Sequence, residues 1–527
     1  MPDARPSRFA SGRHAGVMVP LFSIPSRESW GIGEIPDLAS LSRWLDSAGF
    51  DFFQLLPVNE MAEGQSSPYS AMSAMAVDPI FIALHAVHDF EDAGGVAALS
   101  DDERETLREV RASPAVDYPA VRRLKRHALG LAFESFRARH WSAGSPRAGA
   151  LREFAEREQW WLDDYTLYRA LHEEHASRAW TDWSPGLRNR EPAALDEARD
   201  RLATRILYFE YLQWLADEQW QRARRECAPV GIFGDFPFMV SADSADVWTR
   251  QHEFRVDVSV GVPPDAFSET GQDWGLPAYR WDVVEAGSYE WLRHRTRRCA
   301  ELFDGFRIDH LVGFYRTFVK EADGTTYFVP DTDAEQQAQG ERLLRLFGSH
   351  GAEILAEDLG TVPDFVRASM ASLHVPGMKV LRWEREWKSP DKPFRDPSRY
   401  EALSVATSGT HDTETMAEWW DGADEDERRA VAEVPILRER GIAADAPFTD
   451  AVRDALLETL VASGSNLLIV PMQDVFGWRD RINLPASVGG DNWTWRLPVL
   501  VDDLMAAPGP MERAAFLRRL TARYGRS

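Results

Sequence analysis

Arg307 and Asp309 stand two residues apart in the apolar segment FDGFRIDHLVGFYR (303–316), a setting in which charged side chains are seldom buried without partners. On a strand both project to one face while Ile308 points to the other. A neighbouring guanidinium favours the ionised form of a carboxyl group. An ionised, oriented carboxylate is what attack on the anomeric carbon of a sugar requires, although a structural ion pair accounts for the same two residues equally well. The partner acid in such chemistry must begin protonated, in a less ionising setting. Glu357, which follows the apolar ILA, is the candidate donor, and its neighbour Asp358 is the competitor, because alternation turns one inward and one outward. Asp412, preceded by His411, offers a third carboxylate, Asp235 lies within a further apolar run, and Gln473 and Asp474 end another. Retaining glycosidases hold nucleophile and acid about 5–5.5 Å apart, a span that neighbouring strands supply. Converging carboxylates raise one another's pKa, a cost easier to understand at a working site than in a scaffold.

The elements that must position these groups are short apolar runs of strand length, at 15–24, 49–58, 231–240, 303–311, 353–360, 377–383, 402–412 and 466–474. Helical patterns fill many of the gaps, for example 37–49 and 450–463. Strands alternating with helices imply parallel pairing, and eight such units predict an α/β fold of the (β/α)8 TIM-barrel type; a doubly wound sheet is the alternative. In a barrel all the polar run-ends emerge on one rim. The gaps are unequal, which divides the chain into a first part of the barrel (1–80), a helical insertion (81–229) and the rest of the barrel (230–527). A second insertion at 241–302, rich in Pro and Gly, carries a lid loop.

A net charge of −24, from 84 acidic and 60 basic residues, argues against nucleic acid or an anionic membrane as the main partner. Two cysteines, Cys227 and Cys299, are too few for a disulfide framework and read as reduced thiols. The N-terminus lacks a sustained apolar core, and no run is long enough to span a membrane, so the chain reads as a cytoplasmic protein. His310, His411 and the carboxylates do not fall into HExxH or calcium-loop spacing, and Arg307 beside Asp309 opposes a bound cation, so no metal is expected.

The motifs WGIGEIPDL (30–38), SSPYSAMSAMAVDP (66–79), GDFPFMVSADSADVW (234–248), GVPPDAFSETGQDWG (261–275), FRIDH (306–310), AEDLG (356–360), SGTHD (408–412) and DNWTWRL (491–497) follow one another in an order that resembles glycoside hydrolase family 77, the 4-alpha-glucanotransferases of the alpha-amylase clan. The resemblance implies a retaining transfer of an α-1,4-glucan segment from a maltodextrin donor to the 4-hydroxyl of glucose or another maltodextrin. Maltodextrins and glycogen- or starch-derived oligosaccharides would be the substrates, and no metal or organic cofactor is implied. It assigns Asp309 as nucleophile, Glu357 as acid/base and Asp412 as transition-state stabiliser with His411 assisting. Asp235, Arg307 and Tyr69 would surround the cleaved sugar, and Phe267, Gln272 and Trp274 would belong to the substrate lid. The chain departs from the family pattern at Ala266, Leu276, Leu311, Val312, Thr413 and Glu414, which bear on acceptor binding and on the balance of transfer against hydrolysis. A hydrolase of the same clan and a glucan-binding protein without turnover are the rival readings. Three acidic groups crowded around one sugar argue against mere binding.

Overall fold

The computed structural model describes residues 9, 11–62, 64–264, 271–485, 487 and 489–526. Its strands are β1 (His14–Met18), β2 (Phe52–Gln54), β3 (Gly231–Phe236), β4 (Phe254–Val262), β5 (Gln272–Tyr279), β6 (Gly305–Ile308), β7 (Thr317–Lys320), β8 (Thr326–Val329), β9 (Glu353–Ala356), β10 (Gly377–Val380), β11 (Ser404–Thr407) and β12 (Leu467–Pro471). Eight of them close into a barrel in the order β1-β12-β11-β10-β9-β6-β3-β2. Every pairing within it is parallel. Because β1 pairs with both β12 and β2, the sheet has no edge, which rules out the doubly wound alternative. All residues of β2, β3, β6, β11 and β12 are buried, as expected where helices cover one face and packed side chains fill the other.

Each expected run is longer than the strand it contains. The run 303–311 holds a strand of only four residues, Gly305–Ile308. The surplus at the C-terminal end of each run leaves the ladder and forms the rim. The polar residues stand there.

Between β2 and β3 the chain is helical, with long helices at Tyr118–Phe136, Pro146–Glu174 and Pro192–Cys227. Local chemistry sets their starts: Asp117 and Ser145 cap two of them, each with proline in the first turn. The Lys125 ammonium, almost fully buried, ties this layer to the barrel by donating to Ile80 O (2.6 Å) and Ile82 O (2.8 Å) and pairing with Glu34 (2.6 Å).

A second sheet, absent from the sequence expectation, is antiparallel in the order β5-β4-β7-β8. Gln272 and Trp274, read as loop residues, lie on β5, which pairs with β4. The strand β4, FRVDVSVGV, alternates apolar and polar residues with period two, the signal that the Pro- and Gly-rich stretch beside it obscures. Phe267 and Ala266 lie outside the described residues.

Candidate active site

The rim cluster is built on the ladder β3-β6-β9. Asp235 is paired in register with Arg307, and Ile308 with Ala356. The ladder runs one residue beyond the strands: Asp309 N–H donates to Phe236 O, and Glu357 N–H donates to Ile308 O, both at 3.0 Å. Sheet hydrogen bonds therefore fix the backbones of both carboxylates before any side-chain contact is counted. Ile308, fully buried, points away from them as alternation requires.

Arg307 organises the side chains. Its Nη2 donates to Asp309 Oδ1 (2.7 Å), Asp235 Oδ2 (2.8 Å) and Tyr69 Oη (2.9 Å), and its Nη1 donates to Glu357 Oε2 (2.8 Å). Tyr69 Oη in turn donates to Asp235 Oδ2 at 2.7 Å. Glu357 Oε2 accepts a second bond from His310 N–H (2.8 Å). His310 takes a left-handed conformation, φ 45°, which ends the strand and aims this N–H at Glu357. Gly313 makes room, since a Cβ there would sit 2.6 Å from the His310 ring and 2.8 Å from Phe238. Asp358 faces elsewhere: its Oδ1 accepts Met378 N–H (2.7 Å) and its Oδ2 pairs with Arg367 (3.4 Å). The inward acid is Glu357.

The protonation pattern of the free site differs from the expectation. Arg307 does not keep Asp309 ionised: burial outweighs it and, with Glu357 and Asp235 adding repulsion, pushes Asp309 up to about 8. Burial likewise raises Asp235 against the pull of Arg307. For Glu357 burial is outweighed by Arg307 and the His310 N–H, which hold it below the ordinary range. One cation shared among three carboxyl groups favours a proton on the cluster, and the donors at Glu357 oppose it there. Asp309 accepts one arm of Arg307; Glu357 accepts the other arm and a backbone N–H.

His411 and Asp412 come from the loop after β11. The His411 ring stacks on Tyr69 (centroids 5.1 Å apart, 22° between planes), which brings this loop to the Arg307 cluster. Its Nε2 lies 3.3 Å from Asp412 Oδ2, and Asn483 Nδ2 donates to Asp412 Oδ1 at 2.6 Å. Burial would raise Asp412, but His411 and Asn483 outweigh it and take the carboxyl down to about 2. Burial likewise opposes the charged His411 ring, and Asp412 overcomes it, so His411 is raised. Trp274 meets His310 edge to face at 4.8 Å, and its Nε1 donates to Gln272 Oε1 (3.2 Å). Among the described residues no group of three or more His, Cys, Asp or Glu is placed to hold a metal ion, and no helix is long and apolar enough to cross a membrane.

Several supporting residues carried no signal in the sequence. Asn483 and Arg481, whose Nη2 donates to Asp412 O (3.2 Å), lie far along the chain from the loop they brace. Asp474, a run-end carboxylate, turns out to support that loop by accepting Ser408 Oγ (2.5 Å) and Met416 N–H (2.6 Å). The departures Thr413 and Glu414 knit the same turn: Thr413 Oγ1 accepts Thr410 N–H (3.0 Å), and Glu414 pairs with Arg382 (2.6 Å).

A family model described as 4-alpha-glucanotransferase, glycoside hydrolase family 77, matches residues 19–502. The chain belongs to this family. Among its relatives, the 4-alpha-glucanotransferase of Thermus thermophilus is 34% identical, with 92% of this chain and 95% of that one aligned. The chloroplastic enzyme of Solanum tuberosum is 30% identical over 98% of this chain and 86% of its own. Amylomaltase from Streptococcus agalactiae, solved in complex with acarbose, superposes with a TM-score of 0.81 at 27% identity, covering 98% of this chain and all of that one. The fold and the activity class of this chain are those of the 4-alpha-glucanotransferases.

Proposed function

We propose that the chain disproportionates maltodextrins by a retaining double displacement at the Arg307 cluster, in the cytoplasm, on glucans derived from glycogen or starch. The observation that carries the residue roles is the single guanidinium holding Asp309 on one arm and Glu357 on the other. Asp309 Oδ attacks the anomeric carbon while the bond to the leaving 4-oxygen breaks and Glu357 gives that oxygen a proton. The 4-hydroxyl of an acceptor sugar then loses its proton to Glu357 as its oxygen displaces Asp309. In the free site the shared proton favours Asp309. A glucosyl ring whose anomeric carbon gains positive charge beside Asp309 draws that carboxyl to its ionised form and leaves the proton to Glu357. Asp412, anionic across the working range, and His411 hold hydroxyls of the donor ring as it flattens. Tyr69 supplies an aromatic face for its C–H surface. Gln272 and Trp274 border the acceptor side, where sugar must outcompete water.

Incubation of the purified protein with maltotriose tests the reading. Glucose together with oligomers longer than the substrate is the expected product set. Glucose and maltose alone would make the protein a hydrolase, and no products with retained binding would make it a glucan-binding protein.

A further inference from the structure

After β10 the chain leaves the barrel at the rim that carries the carboxylates and folds back on itself over residues 384–395. Glu386 N–H donates to Pro393 O and Arg395 N–H to Glu384 O, both at 2.9 Å, and Arg385 bridges Phe394. The root of this hairpin is joined to the loop of Asp412: Arg382 donates to Ser408 O (3.2 Å), Glu414 O (2.9 Å) and Glu414 Oε2 (2.6 Å). Its flank rests on two helices beyond β11, Met416–Gly422 and Glu425–Ala432, through Phe394 against Trp419 (6.2 Å) and Arg385 against Glu427 (3.6 Å).

On this hairpin stands Trp387, 56% exposed, more than any other large hydrophobic side chain among the described residues. Single exposed apolar residues are ordinary, but this one is held. Its Nε1 donates to Trp383 O at 3.1 Å. The Arg385 guanidinium lies over the ring at 5.3 Å and is itself 4.7 Å from the Phe394 ring. One edge is tethered and one face supported, which leaves the opposite face to solvent. An indole with one face open, on a hairpin whose root is bonded to the Asp412 loop, matches the C–H face of a pyranose.

We infer that Trp387 is an outer platform for the glucan chain, on which a glucosyl unit remote from the cleaved bond stacks. The inference rests on the glucan-transfer reading above. It makes apparent affinity depend on chain length: a long maltodextrin reaches the indole, whereas maltotriose occupies only the units around Asp309. Since the contact is remote and the same before and during bond breaking, it acts on KM and not on kcat.

Steady-state kinetics with maltotriose and maltoheptaose read this directly. Trp387→Ala is expected to raise KM for maltoheptaose about tenfold while kcat and the maltotriose KM stay put, and Trp387→Phe to restore most of the loss. Equal KM shifts on both substrates, no shift on the long one, or a fall in kcat on both would overturn the inference. Calorimetric titration of maltoheptaose into the Asp309→Asn protein, with and without Trp387→Ala, reads the platform without turnover. A weaker Kd in the double variant supports it, and an unchanged Kd refutes it. Failure of the unsubstituted protein to act on maltotriose would instead refute the transfer reading, so the two failures are distinguishable.

Discussion

Asp37 and Asp309 are both pushed up to about 8 by burial, yet their surroundings differ. Asp37 is 6% exposed and belongs to a closed set in which its Oδ2 accepts Glu34 N–H (2.8 Å), while Lys125 neutralises Glu34 and fills its remaining donors with backbone carbonyls. There one ammonium pairs with one carboxyl group, and the second carboxyl group accepts a backbone N–H. Asp309 keeps 21% of its side chain exposed and shares one cation with two other carboxylates. A shifted pKa alone therefore does not mark a working site. Several carboxyl groups crowded on one cation, with their backbones held by sheet hydrogen bonds and one side open, do.

The largest effect should come from Asp309→Asn, which is expected to lower kcat by on the order of 10⁴ or more while maltodextrin still binds; surviving activity would remove Asp309 from its role. The same variant separates the regions thermodynamically. The folded pKa of about 8 lies above the ordinary 3.8, so the neutral carboxyl favours the fold fully below the lower value, and that contribution is lost as pH rises through the upper one. Asp309→Asn should therefore gain more in Tm over the parent near about pH 8.5 than near about pH 5; thermal melts at the two pH values check the sign.

Arg307→Leu leaves three facing carboxyls without their cation and is expected to cost about 10²–10³ in kcat, read from initial rates of maltotriose disproportionation. Lys125→Met is the matching test in the closed cluster. Stranding Glu34 should destabilise the fold by about 3–5 kcal/mol, read from urea denaturation, with kcat of the folded fraction unchanged. A kinetic defect there would erase the distinction between the two clusters. The smallest effect is expected at Asn483→Ala, which removes one hydrogen bond to Asp412 and should lower kcat about tenfold with little change in KM.

Much of this was legible in the sequence because the barrel writes itself as buried runs ending in polar residues. Arg307 and Asp309 were readable from strand alternation, and the order of the motifs implied the family and, through it, the role of Glu357. The inward turn of Glu357 over Asp358 was not readable, because it depends on the register of β9 against β6. The protonation pattern was missed because one neighbour was weighed without the burial and the two further carboxylates that structure adds. Asn483 bracing Asp412 is a contact across 71 residues, and neither residue type nor periodicity announces it.

The most direct measurement is to trap the glycosyl-enzyme. With Glu357→Gln and α-maltosyl fluoride, whose fluoride leaves without a proton donor, the first step proceeds and the second stalls. Peptide mass spectrometry is predicted to find a maltosyl adduct on the segment 303–316 at Asp309. An adduct on Asp235 or Asp412 instead, or no adduct together with products of inverted anomeric configuration, would contradict the account.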